Sequence, residues 1–548
     1  MNCPMKKLFA LFLALCLGSF SGCSGAAAPD AAALGEEVTV STGEGFRNVD
    51  IYPISTGEEG LEVVLCGGVD GNSMDMVRLF DEAVGTDNHY LELTDEELRF
   101  SFIRGTIPDI ICLNYSIGKT EAFEYGSAGL LVNFMDYLEY MPNFTLAIGR
   151  DPALLDPVCN ADGTVYTLPR IGRTTTSAKG LLYFRMDMLR EAGWNQPPET
   201  TEEFLRCIWD VQVHFGSQDP QFAAFTAYKA ERMTWDSGEV TQFFFPAFGP
   251  LLETGLTVGE DRVVVLGAAA EQYKHYLEFM QDVFESGAFY RDIFTEDGSL
   301  SMERMLGNQV AITPYGSKLT VDNFISGELD MVIGKPIASR YWNEKQWLME
   351  PTSTYTFTCV SSQCPDIPAA CRWLDAMYAP MDNPLDEAGE ISGMTLWLGR
   401  KGVDFILDKE SGSYEQRYPE GYESYNHWHD QNALTSTLGL YDFMYILESD
   451  RGIHTKSIGT VENLIPYGEE PIVRTGNLSL TESEMVTYNN IWPGIDAYIQ
   501  DMTVRFITGA EDIETGWQGY LDRLEALGLP EVLNIYQDAF ERFMDANR

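Results

Sequence analysis

The sequence predicts an α/β protein whose parallel strands alternate with helices. The run Ile110-Ile111-Cys112-Leu113 has the length of a strand and is apolar on both faces, as expected of a central strand covered by helices. Polar residues follow it at once, and residues 119–128 then predict a helix that ends before Gly129. Two further strand–helix units precede this stretch, and right-handed crossovers between such units give a parallel sheet.

The first of these units begins with a predicted strand at 61–66, continues through a glycine-rich loop at 67–72, and ends in a helix near 73–84. The loop lacks both the Lys-Ser/Thr pair and the GxGxxG spacing of phosphate-binding loops. The second unit has a strand at 89–93 and a helix at 95–104. Further along, residues 180–185 and 309–313 predict strands.

Ligands of open α/β sheets bind beyond the carboxyl ends of the strands. The candidate binding residues in the loops at these ends are Asp70, Asn72, Asn114, Tyr115 and, after the strand at 309–313, Tyr315. The alternative is that these loops are ordinary turns between a strand and a helix.

Two helix starts carry local signals. Residues 187–192 predict a short helix, and Thr200 with Glu203 forms the pattern of a capping box that opens a helix reaching His214.

The length and charge of the chain limit its function. With 548 residues the chain is too long for one ordinary core, so several domain-sized units are expected. Its 83 acidic residues against 36 basic ones give a formal charge of −47, which argues against binding to nucleic acid. A content of 45% apolar and 12% aromatic residues is typical of a folded protein.

The N-terminus predicts export and a lipid anchor. Lys6 and Lys7 precede an apolar stretch at 8–17 that is too short to span a bilayer. The segment Phe-Ser-Gly-Cys that ends at Cys23 resembles a bacterial lipobox, although Phe20 stands where leucine is commoner. We expect residues 1–22 to be a signal peptide, Cys23 to be lipidated, and residues 23–58 to be a flexible tether. The protein would then lie at the extracellular face of a bacterial membrane. Cleavage without lipidation is the alternative.

Several segments, in order, carry a family resemblance: PDIICLNYS, GLLVNFMDYLEYMPNF, DGTVYTLPR, LLYFRMDMLREAGWNQPPETTEEF and GNQVAITPYGS. Their succession resembles the family 1 extracellular solute-binding proteins of ABC importers. CVSSQCPDIPAACRWLDAMY and FITGAEDIETGWQGYLDRLEALGLPEVLNIYQDAFERF resemble the longer, aldouronate-type lipoproteins of that family. The resemblance covers residues 60–548. The block at 389–401 departs from the family pattern, which leaves the role of Trp397 open.

The resemblance implies a two-lobed, periplasmic-binding-protein-like (type II) fold with a hinge between the lobes. Lobe 1 would comprise residues 59–172 and 313–378, and lobe 2 residues 173–312 and 379–548. It further implies a monomer that captures a carbohydrate, specifically an oligosaccharide, in the cleft between the lobes and delivers it to the transmembrane subunits of an ABC permease. The protein would not be an enzyme and would need no cofactor.

Two alternatives stay open. One is a surface lipoprotein that binds or senses carbohydrate without a transporter. The other is a glycoside hydrolase, whose two carboxylates cannot be recognised in a chain this rich in acids. The sequence contains no GxSxG, HExxH or EF-hand pattern.

Aromatic side chains that stack on sugars are candidates for the second lobe. The richest supply is Trp235, followed by the segment Phe243-Phe244-Phe245-Pro246-Ala247-Phe248. Three consecutive phenylalanines are not expected to face one core, so at least one should lie at a surface or cleft. The resemblance places this region at the cleft and favours Trp235, Phe245 and Phe248. Packing in the core is the alternative. Weaker aromatic candidates are Trp342, Trp347 and Trp397.

A sparse basic group flanks the first crossing between the lobes and comprises Arg170, Arg173, Lys179 and Arg185. Guanidinium groups bind carboxylates through paired hydrogen bonds, so a sugar bearing a uronic acid is one candidate ligand. Pairing with the chain's own acids is the alternative.

No metal site is predicted. His427 and His429 would share a strand face, but no third ligand lies nearby in the sequence. Of the ten cysteines, seven remain without Cys3, Cys16 and Cys23, and their spacing fits no zinc pattern. The cysteines within apolar runs, such as Cys112 and Cys207, are expected in the core.

Overall fold

The computed structural model describes residues 54, 60–65, 70–113, 117–171, 180–226, 239–290, 304, 307–314, 330–349, 353–379, 405–408, 413–416, 428, 431–432, 467–469 and 473–546. The chain divides into two compact units. Unit 1 comprises Met1–Arg173, Pro351–Asp450 and Asp545–Arg548, and unit 2 comprises Thr174–Glu350 and Arg451–Met544.

Short strands form the sheets of both units. In chain order they are β1 (Glu62–Leu65), β2 (His89–Tyr90), β3 (Ile110–Leu113), β4 (Arg170–Ile171), β5 (Leu182–Arg185), β6 (Ala223–Phe225), β7 (Leu256–Val258), β8 (Val264–Leu266), β9 (Val310–Pro314), β10 (Met331–Ile333), β11 (Trp347–Leu348), β12 (Ser353–Thr354), β13 (Phe357–Val360), β14 (Phe405–Asp408), β15 (Ser413–Gln416) and β16 (Gly468–Glu469).

The described α-helices are numbered in the same way. They are α1 (Asp75–Val84), α2 (Asp95–Arg104), α3 (Lys119–Ser127), α4 (Pro142–Arg150), α5 (Met186–Glu191), α6 (Thr201–Gly216), α7 (Glu239–Phe244), α8 (Glu271–Glu285), α9 (Ile367–Ala376), α10 (Glu482–Ile507), α11 (Ile513–Ala526) and α12 (Leu529–Ala546).

Helix starts follow their capping residues. Thr94 and Glu97 form a reciprocal capping box at α2. At α6 the Thr200 side chain accepts from the Glu203 N–H, but the Glu203 carboxylate accepts from the N–H of Glu199 instead of completing a box. The predicted cap of Thr200 is therefore present, and the reciprocal half of its box lies one residue earlier.

Unit 1 contains the predicted parallel sheet. Its strand order is β13-β3-β1-β2, in which β1 pairs in parallel with both β2 and β3. The antiparallel strand β13 completes the sheet, with Phe357 opposite Leu113 and Val360 opposite Ile110. All four residues of β3 are buried, as predicted for a central strand. Apolar residues pack on both faces of this sheet, including Phe80 and Trp373 on one face and Phe102 and Phe357 on the other.

Unit 2 is built on a mixed sheet with the order β10-β5-β9-β6. Strand β5 pairs antiparallel with β9 and with β10, while β6 pairs in parallel with β9. Helices α8, α10 and α11 pack together beside this sheet and share its apolar core.

The pairing of β9 and β10 corrects one predicted boundary. The sequence division places residues from 313 onward in lobe 1, but both strands pair with β5 and so lie in unit 2. The chain returns to unit 1 at Pro351. Strand pairing between distant segments decides this boundary, and no local signal in the sequence reports it.

None of the described helices combines the length and the apolar composition needed to cross a bilayer.

Candidate functional site

The carboxyl ends of β1, β2 and β3 meet at one edge of the unit 1 sheet because these strands are parallel. Asp70 and Asn72 lie in the segment that follows β1, and Lys119 lies in the segment that follows β3. Strand β13 runs in the opposite direction, so the residue Tyr355 that precedes it lies at the same edge. This edge therefore collects polar side chains from three separate parts of the chain.

Asp70 and Asn72 form a short turn that is fixed to β2. The Asp70 Oδ1 atom accepts from the backbone N–H of Asn72 at 2.9 Å and from its side-chain amide at 2.8 Å. The same amide donates to the carbonyl oxygen of Tyr90 at 2.8 Å, and Asn72 Oδ1 accepts from the Tyr90 N–H at 3.3 Å. A Cβ atom on Gly71 would lie 2.5 Å from the Tyr90 ring, so the turn sits directly against this side chain. Both predicted residues thus serve the turn itself, and their role in ligand binding stays a prediction.

Lys119 is the first residue of α3, and the sequence reasoning missed it. Its Nζ atom donates to the carbonyl oxygen of Asp156 at 3.4 Å. Burial lowers the pKa of this amine to about 8, against the opposing influence of Cys159 and Asp156. The signal available in the sequence was a single lysine directly behind the polar residues that follow a buried strand.

Tyr355 is the second residue that the sequence reasoning missed. Its ring is half-buried and packs against the apolar clusters on both faces of the sheet. Its hydroxyl oxygen is buried and has no hydrogen-bond partner among the residues that the structure describes. Burial raises the pKa of this phenol. Sequence offers only a weak signal here, since a tyrosine just before a strand is common.

An ion pair joins helices α2 and α3. Arg99 donates from Nε and Nη2 to the two carboxylate oxygens of Glu121, each at 3.1 Å. The Tyr125 hydroxyl donates to the same carboxylate at 2.6 Å, and its ring stacks on Phe102 with centroids 4.0 Å apart. These contacts therefore fix the orientation of the Tyr125 ring.

In unit 2 the predicted ligand contacts Phe245 and Phe248 lie in the core, with 0% and 5% of their surface exposed. Phe245 packs against Tyr273 and Tyr276 with ring centroids 6.2 Å away in both cases. Phe248 packs against Phe279 at 5.6 Å. For these two residues the structure agrees with the core alternative, so we do not carry them forward as ligand contacts.

The prediction that at least one of three consecutive phenylalanines lies at a surface or cleft is wrong for this chain. Phe243, Phe244 and Phe245 are all buried in the same apolar cluster. Helix α7 ends at Phe244, and a 3-10 turn from Phe245 to Phe248 follows, so the three side chains leave the backbone from two different helical geometries. The segment also packs against other elements on several sides, with Phe243 beside Trp347 and Phe244 beside Phe204.

One member of the basic group forms an ion pair with a carboxylate of the chain itself. Arg185 is buried and donates to both carboxylate oxygens of Asp187, at 2.9 and 2.6 Å, and to Asn308 at 2.9 Å. Arg170 lies in β4 opposite Thr354 of β12. The role of Arg170 as a ligand contact stays a prediction.

The weaker candidates divide by burial. Trp347 is buried beside Phe243, and Trp342 is half-buried. The remaining predicted residues lie outside the described residues: Cys23, Asn114, Tyr115, Arg173, Lys179, Trp235, Tyr315, Trp397, His427 and His429.

Most of the described cysteines are buried. Burial raises the pKa of Cys207 and of Cys364 to about 12, so neither forms a thiolate near neutral pH. Within the described ranges, no three His, Cys, Asp or Glu side chains come together in a group that could hold a metal ion.

Comparison with known proteins supports the fold. No protein-family model matches the chain. The sequence is 21% identical to the fructooligosaccharide ABC transporter substrate-binding protein FusA of Streptococcus pneumoniae serotype 4 (strain ATCC BAA-334 / TIGR4). The alignment spans 470 residues and covers 82% of each chain. The structure of S. pneumoniae FusA in complex with kestose matches with a TM-score of 0.71 at 18% identity, over 89% of this chain and 100% of that chain.

Two further solved structures give similar matches. The HMO-binding, ABC-transporter-associated solute-binding protein from Bifidobacterium longum infantis ATCC 15697 has a TM-score of 0.68 at 14% identity, over 89% of this chain and 99% of that one. Alginate-binding protein AlgQ2 without calcium ion has a TM-score of 0.68 at 15% identity, over 89% of this chain and 100% of that one. The chain therefore has the periplasmic-binding-protein-like α/β fold of these solute-binding proteins, which confirms the fold class that its sequence predicts.

Proposed function

We propose that the protein is the extracellular solute-binding component of an ABC transporter, that it acts as a monomer, and that it captures an oligosaccharide for delivery to a permease. The observation that carries this proposal is the similarity to FusA, a fructooligosaccharide-binding protein, which extends over most of both chains in sequence and in structure. The relatives are named as substrate-binding proteins, which favours binding over hydrolysis.

The carboxyl edge of the unit 1 sheet supports a carbohydrate ligand. It carries polar groups from the turn at Asp70 and from Lys119, and half-buried aromatic rings, among them Tyr125, Tyr166 and Tyr355, pack against the apolar cluster on one face of the same sheet. Aromatic rings cover the C–H faces of sugars, and polar groups satisfy their hydroxyls. The predicted contacts Asn114, Tyr115, Trp235, Tyr315 and Trp397 remain part of the proposal on the strength of the sequence alone.

Calorimetric titration tests the proposal directly. Purified protein that lacks residues 1–22 is titrated with a panel of fructo-, gluco- and xylo-oligosaccharides, together with uronic-acid-containing members. We expect binding of at least one class and full recovery of the sugar afterwards by chromatography. Failure to bind any oligosaccharide would contradict the proposal, and recovery of shortened sugars would favour the glycosidase alternative.

Two substitutions test the ligand contacts predicted from sequence. Truncating a central stacking aromatic is expected to weaken binding by on the order of 2 kcal/mol, or about thirtyfold. Trp235→Ala and Tyr115→Ala should each do so with little loss of folding stability. Wild-type affinity in both variants would mean that these residues do not contact the ligand.

We also propose that a lipid on Cys23 anchors the protein at the outer face of the cell membrane. The support is the short apolar stretch that ends in a lipobox-like cysteine and is followed by a small-residue spacer. Cys23→Ala should abolish labelling by a radioactive fatty acid and release the protein or leave its precursor uncleaved. Undiminished labelling of the variant would refute the anchor.

A further inference from the structure

The hydroxyl of Tyr355 is an exception among the buried tyrosines. The other deeply buried tyrosines with well-defined partners use their hydroxyls in hydrogen bonds inside the protein: Tyr90 with Asp81 at 2.7 Å, Tyr273 with Thr503 at 2.8 Å, Tyr276 with Thr241 at 2.9 Å, Tyr378 with Pro169 at 2.6 Å and Tyr520 with Ala268 at 3.1 Å. The Tyr355 hydroxyl is equally removed from solvent but meets no partner among the described residues. A buried hydroxyl without a partner destabilises the fold, so its retention calls for an explanation.

The nearby polar groups do not supply that explanation. The Thr167 side chain lies close enough to lower the pKa of the Tyr355 phenol, but the contact does not have the geometry of a hydrogen bond. Glu121 acts on Tyr355 only through its charge, and both of its oxygens already accept hydrogen bonds from Arg99 and Tyr125. Among the described residues, tyrosine in place of phenylalanine therefore gains no internal hydrogen bond at this position.

The position of Tyr355 points to a ligand. It precedes Phe357 by two residues, and Phe357 pairs with Leu113, the last residue of β3. Tyr355 thus lies just past the carboxyl end of a parallel strand, where ligands of such sheets bind. The half-buried Tyr125 and Tyr166 pack against the same apolar cluster as Tyr355. A phenol can both donate and accept, which suits the hydroxyl groups of a sugar.

We propose that Tyr355 is a specificity-determining residue of unit 1 and that its hydroxyl forms a hydrogen bond with one hydroxyl or ring oxygen of the bound oligosaccharide. This inference rests on the proposed function, since it names a contact of the same ligand. Because the hydroxyl is buried, its hydrogen bond to the ligand would form away from water. A buried polar group of this kind rejects an analogue that lacks the matching hydroxyl, because the group is then left unpaired.

Tyr355→Phe removes the hydroxyl and keeps the ring. We expect unchanged or raised folding stability in urea, since no internal hydrogen bond is lost, together with affinity for the best oligosaccharide of the panel weakened by about three- to tenfold. Tyr378→Phe is the matched control in the same unit. It removes a hydroxyl that donates to Pro169, so it should lower stability and leave affinity unchanged.

Monodeoxy derivatives of that oligosaccharide identify the atom that Tyr355 contacts. One derivative should bind wild-type protein more weakly than the parent sugar but bind Tyr355→Phe as well as the parent does, which is the coupling expected of a direct contact. Additive losses for every derivative would overturn the inference, as would a Tyr355→Phe variant that loses stability at unchanged affinity. If the wild-type protein binds no oligosaccharide, the proposed function itself has failed, which is a distinct outcome.

Discussion

Asp375 accepts a 2.8 Å hydrogen bond at Oδ1 from the backbone N–H of Phe144, a residue 231 positions away in the chain. Its Oδ2 atom accepts from the backbone N–H of Asn143 at 3.1 Å and from the Asn143 side chain at 2.9 Å. Asp375 lies in α9, and its partners lie in the first turn of α4, whose N–H groups have no partner inside their own helix. One fully buried carboxyl group thus joins two helices of unit 1.

The first prediction concerns the pH dependence of this contact. Burial raises the pKa of Asp375 to about 7, although its hydrogen bonds act in the opposite direction. A carboxyl whose pKa is raised in the folded state binds its proton more tightly when the protein is folded. Its contribution to the free energy of unfolding is therefore fully present below about pH 4 and is lost as the pH rises through about 7. Compared with Asp375→Asn, the free energy of unfolding of wild-type protein should fall by roughly 1–4 kcal/mol over this range.

Urea titrations of both proteins between pH 4 and 8 measure this difference. Asp366→Asn, at the N-cap of the same helix, controls for the substitution because asparagine caps a helix about as well as aspartate. A constant difference between wild type and Asp375→Asn at every pH would contradict the prediction.

The second prediction concerns Lys119, whose pKa burial lowers to about 8. Between about pH 8 and 10.5 the unfolded chain binds this proton and the folded chain does not, so the free energy of unfolding should rise with pH there. Lys119→Met removes the buried charge. The variant should be more stable than wild type at pH 7 by about 1–2 kcal/mol, after loss of the hydrogen bond to Asp156.

This advantage of Lys119→Met should shrink as the pH rises toward 10. Lys335→Met is the control, because Lys335 is exposed and its replacement removes no buried charge. A variant less stable than wild type at pH 7 would show that the contacts of the ammonium group outweigh its burial.

Local signals in the sequence predicted much of the fold. The apolar run at 110–113 is strand β3, and residues 95–104 form α2 with its capping box. Each of these elements is defined by residues close together in the chain, such as a cap, a glycine or a continuous apolar run.

Features that depend on distant partners were not predictable. The pairing of β9 with β5 moved residues 313–333 into unit 2, and packing from several sides buried Phe245. Tyr355 and Lys119 are distinguished mainly by what surrounds them in the folded chain, because the local sequence pattern does not report whether a hydroxyl has a partner or an amine is buried.

The third prediction separates core packing from ligand contact in unit 2. Phe245→Ala and Phe248→Ala should each lower the free energy of unfolding by about 3–5 kcal/mol, as truncation of buried aromatic residues does. Val263→Ala, at a side chain that is 47% exposed, should change it by less than about 0.5 kcal/mol. If instead the phenylalanine variants kept their stability and lost affinity for oligosaccharide, both residues would be ligand contacts, as the sequence resemblance suggested.

The last prediction concerns Asn72, for which sequence and structure emphasise different roles. Both amide hydrogens are used, one by Asp70 and one by the carbonyl oxygen of Tyr90, and the amide oxygen accepts from the Tyr90 N–H. An asparagine side chain has two donor hydrogens and two acceptor positions, so only one acceptor position remains for a ligand.

Asn72→Ala should therefore lower the free energy of unfolding by about 1–3 kcal/mol, because the turn loses its bridge to β2 and the partly buried carbonyl of Tyr90 loses a donor. Ser73→Ala tests the same turn at an exposed hydroxyl that donates only to the Asp70 carbonyl, and it should change stability much less. Urea unfolding and calorimetric titration of both variants decide between the roles. Loss of affinity in Asn72→Ala at wild-type stability would assign the residue to the ligand, since a side chain that only braces the turn cannot be removed without weakening the fold.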